Sequence, residues 1–124
     1  MQDAVPISFG QIFTAYAHAI ERDMERFTKA IEVLSSLNMG GTAIGTCVNA
    51  EKSYVESIVA ALSRECGREL IKADDLIDAT QNVDAFVAVS GSLKACAVNL
   101  SKMSNDLRLM SSGPKTGFGE ITLP

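Results

Sequence analysis

The stretch LNMGGTAIGTCVNA, Leu37 to Ala50, decides how this chain folds. It holds three glycines and a run of β-branched residues, and no charge falls anywhere from Val33 to Ala50. Three readings compete for it. A membrane span needs roughly 20 mostly apolar residues in continuous helix, and the glycines, asparagines and hydroxyls here do not supply them. A phosphate-binding loop follows a strand and needs a lysine after its second glycine. Gly40 and Gly45 have that spacing, but Thr46 occupies the lysine position. What remains is a connector between helices, in which glycine permits positive φ and close backbone approach.

The flanks decide for the connector. Ser8 and Gln11 have the spacing of a capping box, and Ile7 and Ile12 stand where a hydrophobic staple would close over it. From there Phe13, Ala17, Ile20, Met24, Phe27, Ile31 and Leu34 alternate in steps of four and three. That period of 3.5 marks the narrow seam of a bundle or coiled coil. A helix over about 9–37 would be roughly 40 Å long. A second helix is expected from about Asn49, with Asn49 as its N-cap and Glu51 in its first turn. Tyr54, Val55, Ile58, Val59 and Leu62 form its apolar face, and Gly67 its C-terminal stop.

Asp74 and Asp75 open a short helix or turn, and a last long helix covers about 83–110. Its seam runs Phe86, Val89, Leu93, Cys96, Leu100, Met103, Leu107, Met110. A charge placed at Leu93 or Leu100 is therefore expected to be buried. No strand-pairing signal is visible. The chain reads as all-α, a long-helix bundle forming one helical domain over 1–124. Small residues on the other faces of the last helix imply neighbours on several sides, and so self-association.

Composition narrows the function. The chain is 47% apolar but only 6% aromatic, with no Trp and a formal charge of −4. No basic cluster suggests nucleic acid, and no basic amphipathic helix suggests a membrane surface. Met1-Gln2-Asp3 lacks the positive start of a signal peptide. Three cysteines without CxxC spacing point to reduced thiols in a cytoplasmic protein, with Cys47 the one expected to be exposed. His18 has no acid placed to make it catalytic. Asp74, Asp75 and Asp78 need no metal to explain them.

Four segments in order resemble the fumarase/aspartase superfamily. QDAVPISFGQIF (Gln2–Phe13) is similar to the stretch after the family's Thr-His or Thr-Gln motif. NMGGTAIGT with Asn49-Ala50 is similar to its glycine-rich connector. LIDATQNVDAFVAVSGSLK (Leu76–Lys94) and SKMSNDLRLMSSGPKTGFGEITLP (Ser101–Pro124) resemble the long central helix and the loop after it. LIDATQN and NDLRLMSSGP favour the ammonia-lyase branch. Cys47 stands where the family has a glycine, which strains the connector if positive φ is needed there. Lys115 replaces a usual Arg, a point charge for a bidentate fork.

The resemblance implies part of the central helical domain of that fold, in a homotetramer whose active sites are built from several subunits. It implies reversible elimination of ammonia from L-aspartate to give fumarate, without a cofactor. The family's serine base lies in a loop that would begin beyond Pro124, and the Thr-His or Thr-Gln pair would precede Met1. No residue here inherits a catalytic, substrate-binding or metal role. Near-site candidates are Gln2, Thr42, Thr46, Asn49, Asn105 and Arg108, with Asn105, Asp106 and Arg108 a candidate helix-end network. The alternatives are a fumarate hydratase of the same fold and a truncated, non-catalytic self-association module.

Overall fold

The computed structural model describes residues 5–115 and 117–124. Among the described residues there are four helices: α1 (Phe9–Leu34), α2 (Lys52–Cys66), α3 (Leu76–Gln81) and α4 (Asp84–Met110). The chain is all-α apart from two paired dipeptides, β1 (Ser36–Leu37) and β2 (Ile71–Lys72). It divides into two compact units: the described residues of Met1–Arg26 with Gly91–Pro124, and Phe27–Ser90.

The capping box at α1 forms as its spacing implies. The Ser8 N–H donates to Gln11 Oε1 at 3.0 Å, and the Gln11 N–H donates to Ser8 Oγ at 3.2 Å. At the other end α1 stops at Leu34, three residues before the expected limit. The ladder tightens there: the Ser35 N–H donates to the Glu32 carbonyl at 3.1 Å, three residues back, while its hydroxyl donates to the Ile31 carbonyl at 2.9 Å. The chain then runs extended through β1, which pairs in parallel with β2, Ser36 opposite Ile71 and Leu37 opposite Lys72. A two-residue pairing set by distant chain segments leaves no alternation to read in the sequence.

Gly67 ends α2 at φ 62°, with its N–H returned to the Ser63 carbonyl. The Ser63 hydroxyl then grips the returning chain, accepting from Leu70 N–H at 2.9 Å and donating to its carbonyl at 3.2 Å. Asn49 is not the cap of α2. That place belongs to Glu51, whose side chain makes no capping bond, and the helix begins only at Lys52. Asn49 instead sits left-handed at φ 60°, beside a turn in which Ala50 N–H donates to Cys47 O. Asp75 caps α3, its carboxylate accepting from the N–H groups of Ile77 and Asp78.

The glycines of the connector are explained here. Gly40, Gly41 and Gly45 are buried. A Cβ on Gly40 would lie 3.3 Å from Val55 Cα, and one on Gly45 would lie 2.5 Å from the Ile77 backbone. Both have positive φ, 93° and 86°. Cys47, in the family's glycine position, is also left-handed at φ 57°, as is the β-branched Thr42. The strain anticipated at Cys47 is therefore present.

Little else is buried. Among the described residues the buried hydrophobics are Ala30, Val59 and Ala73. The long seams split into two lines. On α4 Val89, Cys96, Met103 and Met110 are half-buried, whereas Phe86, Leu93 and Leu100 are exposed by 66%, 57% and 48%. On α1 Ile20, Phe27 and Leu34 are half-buried, whereas Met24 and Ile31 are exposed. Leu93 and Leu100 are thus not buried within this chain. Within this chain one heptad line of each seam is mostly half-buried and the other mostly exposed; Phe13, 50% exposed on the first line of α1, and Leu107, half-buried on the second line of α4, depart from the split.

Candidate functional site

In the unit formed by the start of α1 and the end of α4, two polar clusters stand one position before seam residues: Tyr16 before Ala17, Asp23 before Met24, Asn99 before Leu100 and Asp106 before Leu107. The first centres on Asp23, one turn after Ile20. It is 1% exposed, the most buried side chain among the described residues. Asn99 Nδ2 on α4 donates to one carboxylate oxygen at 2.9 Å, and Arg26 Nη2 donates to the other at 2.5 Å. The Asn99 hydrogen bond holds the carboxyl below its ordinary range against the opposing cost of burial, with Arg26 and Arg22 adding to the effect.

The second cluster lies seven residues away along each helix. Tyr16 Oη on α1 donates to Asp106 Oδ2 at 2.8 Å, and Lys102 Nζ, one turn back on α4, pairs with the same oxygen. Lys102 also stands over the Tyr16 ring, 5.3 Å from its centroid, and Phe13 meets that ring edge-on. The cluster forms one wall of a cavity of about 400 Å³ whose other walls are Ile7, Ile12, Leu109 and Met110. Ile7 stays 61% exposed at its mouth.

The electrostatics of this trio say what it can do. The Lys102 and Tyr16 hydrogen bonds push Asp106 below its ordinary pKa. The bond to Asp106 raises Lys102, and burial followed by that same carboxylate raises Tyr16. Each pKa is moved away from pH 7, so each group sits deeper in its resting state: Asp106 as carboxylate, Lys102 as ammonium, Tyr16 as neutral phenol. A general acid or base needs the opposite, a pKa drawn toward the working pH. The contacts of the trio tie α1 to α4.

The tail after α4 folds back on the helix end. Glu120 N–H donates to the Met110 carbonyl at 2.8 Å, Gly119 N–H to the Ser112 carbonyl at 2.7 Å, and Phe118 N–H to Ser112 Oγ at 3.3 Å. The first of these bonds satisfies a carbonyl that the helix end leaves open. Lys115 stays exposed on this turn.

The candidates named from sequence fall as follows. Gln2 lies outside the described residues. Thr42, Thr46 and Asn49 are exposed on the connector, in the unit of residues 27–90. Asn105 and Arg108 are exposed on α4, in the other unit. Asn105 lines an open hollow of about 540 Å³ with Lys94, Ala97 and Ser101. The proposed Asn105–Asp106–Arg108 network does not form, because Asp106 is engaged by Tyr16 and Lys102. Cys66, not Cys47, is the exposed cysteine, and Cys47 is half-buried.

No group of three or more His, Cys, Asp or Glu able to hold a metal occurs among the described residues. No helix there is long and apolar enough to cross a membrane. Sequence reading missed Asp23, Asn99 and Ser63. Asp23 did leave a signal, since it falls in step with Ile20, Phe27 and Ala30 on the inner face of α1.

Comparison with known proteins agrees with this architecture. A family model described as Lyase matches residues 1–124. Aspartate ammonia-lyase of Bacillus subtilis (strain 168) is 51% identical over 124 residues, covering 100% of this chain and 26% of the relative. The chain thus spans about a quarter of the length of the curated relatives it matches. Among solved structures, a fumarate lyase:delta crystallin from Brucella melitensis superposes with a TM-score of 0.93 at 47% identity, over 99% of this chain and 27% of that one. A class II fumarase from Schistosoma mansoni gives 0.82 at 29% identity, over 94% and 28%.

Proposed function

The chain belongs to the lyase family, and on that premise we propose that it is a piece of an aspartate ammonia-lyase, supplying helical scaffold to the elimination of ammonia from L-aspartate. The observation that carries this reading is identity of about half to an aspartate ammonia-lyase across every residue of the chain. The lower identity to a class II fumarase, 29%, favours ammonia elimination over hydration of fumarate.

In the proposed reaction a base takes a proton from the carbon beside the β-carboxylate, the C–N bond breaks, and the new C=C gives fumarate and ammonium. The intermediate carbanion places extra charge on that carboxylate, so donors must converge on it in a site that excludes water. The described residues offer no such convergence. Asp23, Asp106, Lys102 and Tyr16 are held in their resting charge states by one another and by Asn99 and Arg26. Their part is to hold two helices in place.

Self-association belongs to the same reading. Phe86, Leu93 and Leu100 recur every seven residues on α4, and Met24 and Ile31 do so on α1, all exposed. Burial of apolar area is worth roughly 25 cal/mol per Å², so these lines favour assembly into a homo-oligomer, a tetramer by family. A cytoplasmic setting and a cofactor-free reaction go with it.

The test is fumarate absorbance with saturating L-aspartate, run on the 124-residue chain and on that chain joined to its natural flanking sequence. The reading expects turnover only from the second, and none with malate, or with fumarate in the absence of ammonium. Hydration of fumarate without deamination would transfer the assignment to a fumarase. Silence from both, with an associating chain, would leave a self-association module.

A further inference from the structure

The two polar clusters share a geometry that neither needs in order to satisfy its own charges. Asp23 is already paired within its helix by Arg26, three residues on, and Asp106 by Lys102, four residues back. Those partners travel with their helix and would neutralise the carboxylates in any pairing of α1 with α4. The bonds that cross between helices are the other two, Asn99 to Asp23 and Tyr16 to Asp106. Seven residues forward on α1, from Tyr16 to Asp23, match seven residues back on α4, from Asp106 to Asn99. Both bonds therefore report one antiparallel register.

We propose that the Asp23–Asn99 and Tyr16–Asp106 bonds form a two-point lock that admits a single register of α1 against α4 and rejects heptad slips. The need for one follows from the seams. An apolar stripe that repeats every seven residues fits nearly as well when slid by seven, so the hydrophobic pattern alone leaves the pairing degenerate. A slip of seven in one direction sets Asp23 opposite Asp106, carboxylate against carboxylate. A slip in the other direction sets Asp106 opposite Phe9 and takes Tyr16 from it. The native register alone gives both carboxylates a cross-helix donor.

The cost of such a device is a buried charge, and a buried polar residue that fixes register is its best-attested use. Its consequence here is local. The register sets Ile12 at the level of Met110 and brings Ile7 and Leu109 to the same open cavity, beside the tail's return turn.

Distance measurement between spin labels on the whole chain tests the lock. The labels go on Glu25→Cys and Ser104→Cys, both exposed positions. The native cysteines are replaced (Cys47→Ser, Cys66→Ser, Cys96→Ala), and labelled chain is diluted in unlabelled chain to isolate intramolecular distances. The labelled parent should show one distance. The variant Tyr16→Phe, Asp23→Leu, Asn99→Leu, Asp106→Leu should stay helical by circular dichroism and show a second population. In it the axial offset of the labels differs by about 10 Å, seven residues at 1.5 Å each. A helical variant that keeps the one parental distance would overturn the lock. Should that variant lose its helicity, Tyr16→Phe with Asn99→Ala decides instead. It removes both cross-helix donors, leaves Arg26 and Lys102 on their carboxylates, and must show the second distance. A single distance there would equally refute the proposal.

Discussion

The connector of residues 38–50 and the facing parts of α1 and α4 hold their shape by opposite means. In the connector backbone meets backbone, and what matters is a missing atom: Gly45 rests against the main chain of Ile77, with no room for a Cβ. Between the helices side chains do the holding, and what matters is an added charge, Asp23, satisfied from two directions. The first arrangement tolerates no substitution, because packed backbone cannot move aside. The second tolerates an exchange of chemistry, provided both partners change together. Tight local geometry and pairing specificity are thus separate problems in this chain, solved by different residues.

The largest expected effect breaks the connector. Gly45→Ala adds a methyl group 2.5 Å from the Ile77 backbone at a φ of 86°, and should cost about 3 kcal/mol in urea unfolding at fixed protein concentration. A loss under about 1 kcal/mol would mean the connector yields. Asp23→Ala is expected to cost less, because Arg26 is already partly exposed and can rehydrate. Asp23→Leu with Asn99→Leu should recover most of that loss, since an apolar pair leaves nothing unsatisfied. A double variant weaker than the single would show that the pair acts by more than mutual satisfaction.

The pH dependence separates the regions further, because the connector carries no ionisable group apart from Cys47. Asp23 and Asp106 have lowered values in the folded chain, so their stabilisation is present above about pH 4 and is lost as pH falls through the folded values. Tyr16 and Lys102 have raised values, so theirs is present below about pH 10 and is lost as pH rises. Stability should form a plateau falling at both ends, and Asp106→Asn should shallow both falls. A profile unchanged by that substitution would remove the trio from the account.

Cys47→Gly runs the other way. It relieves a left-handed residue at φ 57° while adding disorder to the unfolded chain. A net gain of about 0.5–1 kcal/mol is expected, and a loss would mean that the half-buried thiol contributes packing. The smallest effect belongs to the exposed Lys52–Glu56 pair, 3.6 Å apart one turn along α2. Lys52→Ala should change stability by about 0.5 kcal/mol or less.

The legible features were those decided by neighbouring residues. The Ser8–Gln11 cap, the Gly67 stop and the Asp75 cap depend on contacts within a few positions, and Gly40 and Gly45 were legible through their positive φ, though not through the Val55 and Ile77 backbones they rest against. The strain at Cys47 was readable for the same reason. Features fixed by distant chain were not legible: the β1–β2 pair, the grip of Ser63 on Leu70, and Asp23 inside an apolar face. Asn49 misled because a good capping residue was held left-handed by the turn before the helix. The seams were half legible. Their period marked the positions that avoid water, but a period cannot say whether the cover comes from this chain or another.

That division is the central claim: apart from Phe13 and Leu107, one heptad line of each long helix is half-buried within the chain and the other is exposed, and the proposed reading gives the exposed line to assembly. Sedimentation of the parent chain across a wide concentration range, beside Leu93→Asp with Leu100→Asp, tests it most directly. Both leucines are about half exposed here, so the charges should leave helicity and thermal unfolding of the dilute chain nearly unchanged. The parent should associate with rising concentration, and the variant should stay a monomer. A parent that remains monomeric throughout, or a variant that unfolds when dilute, would contradict the division.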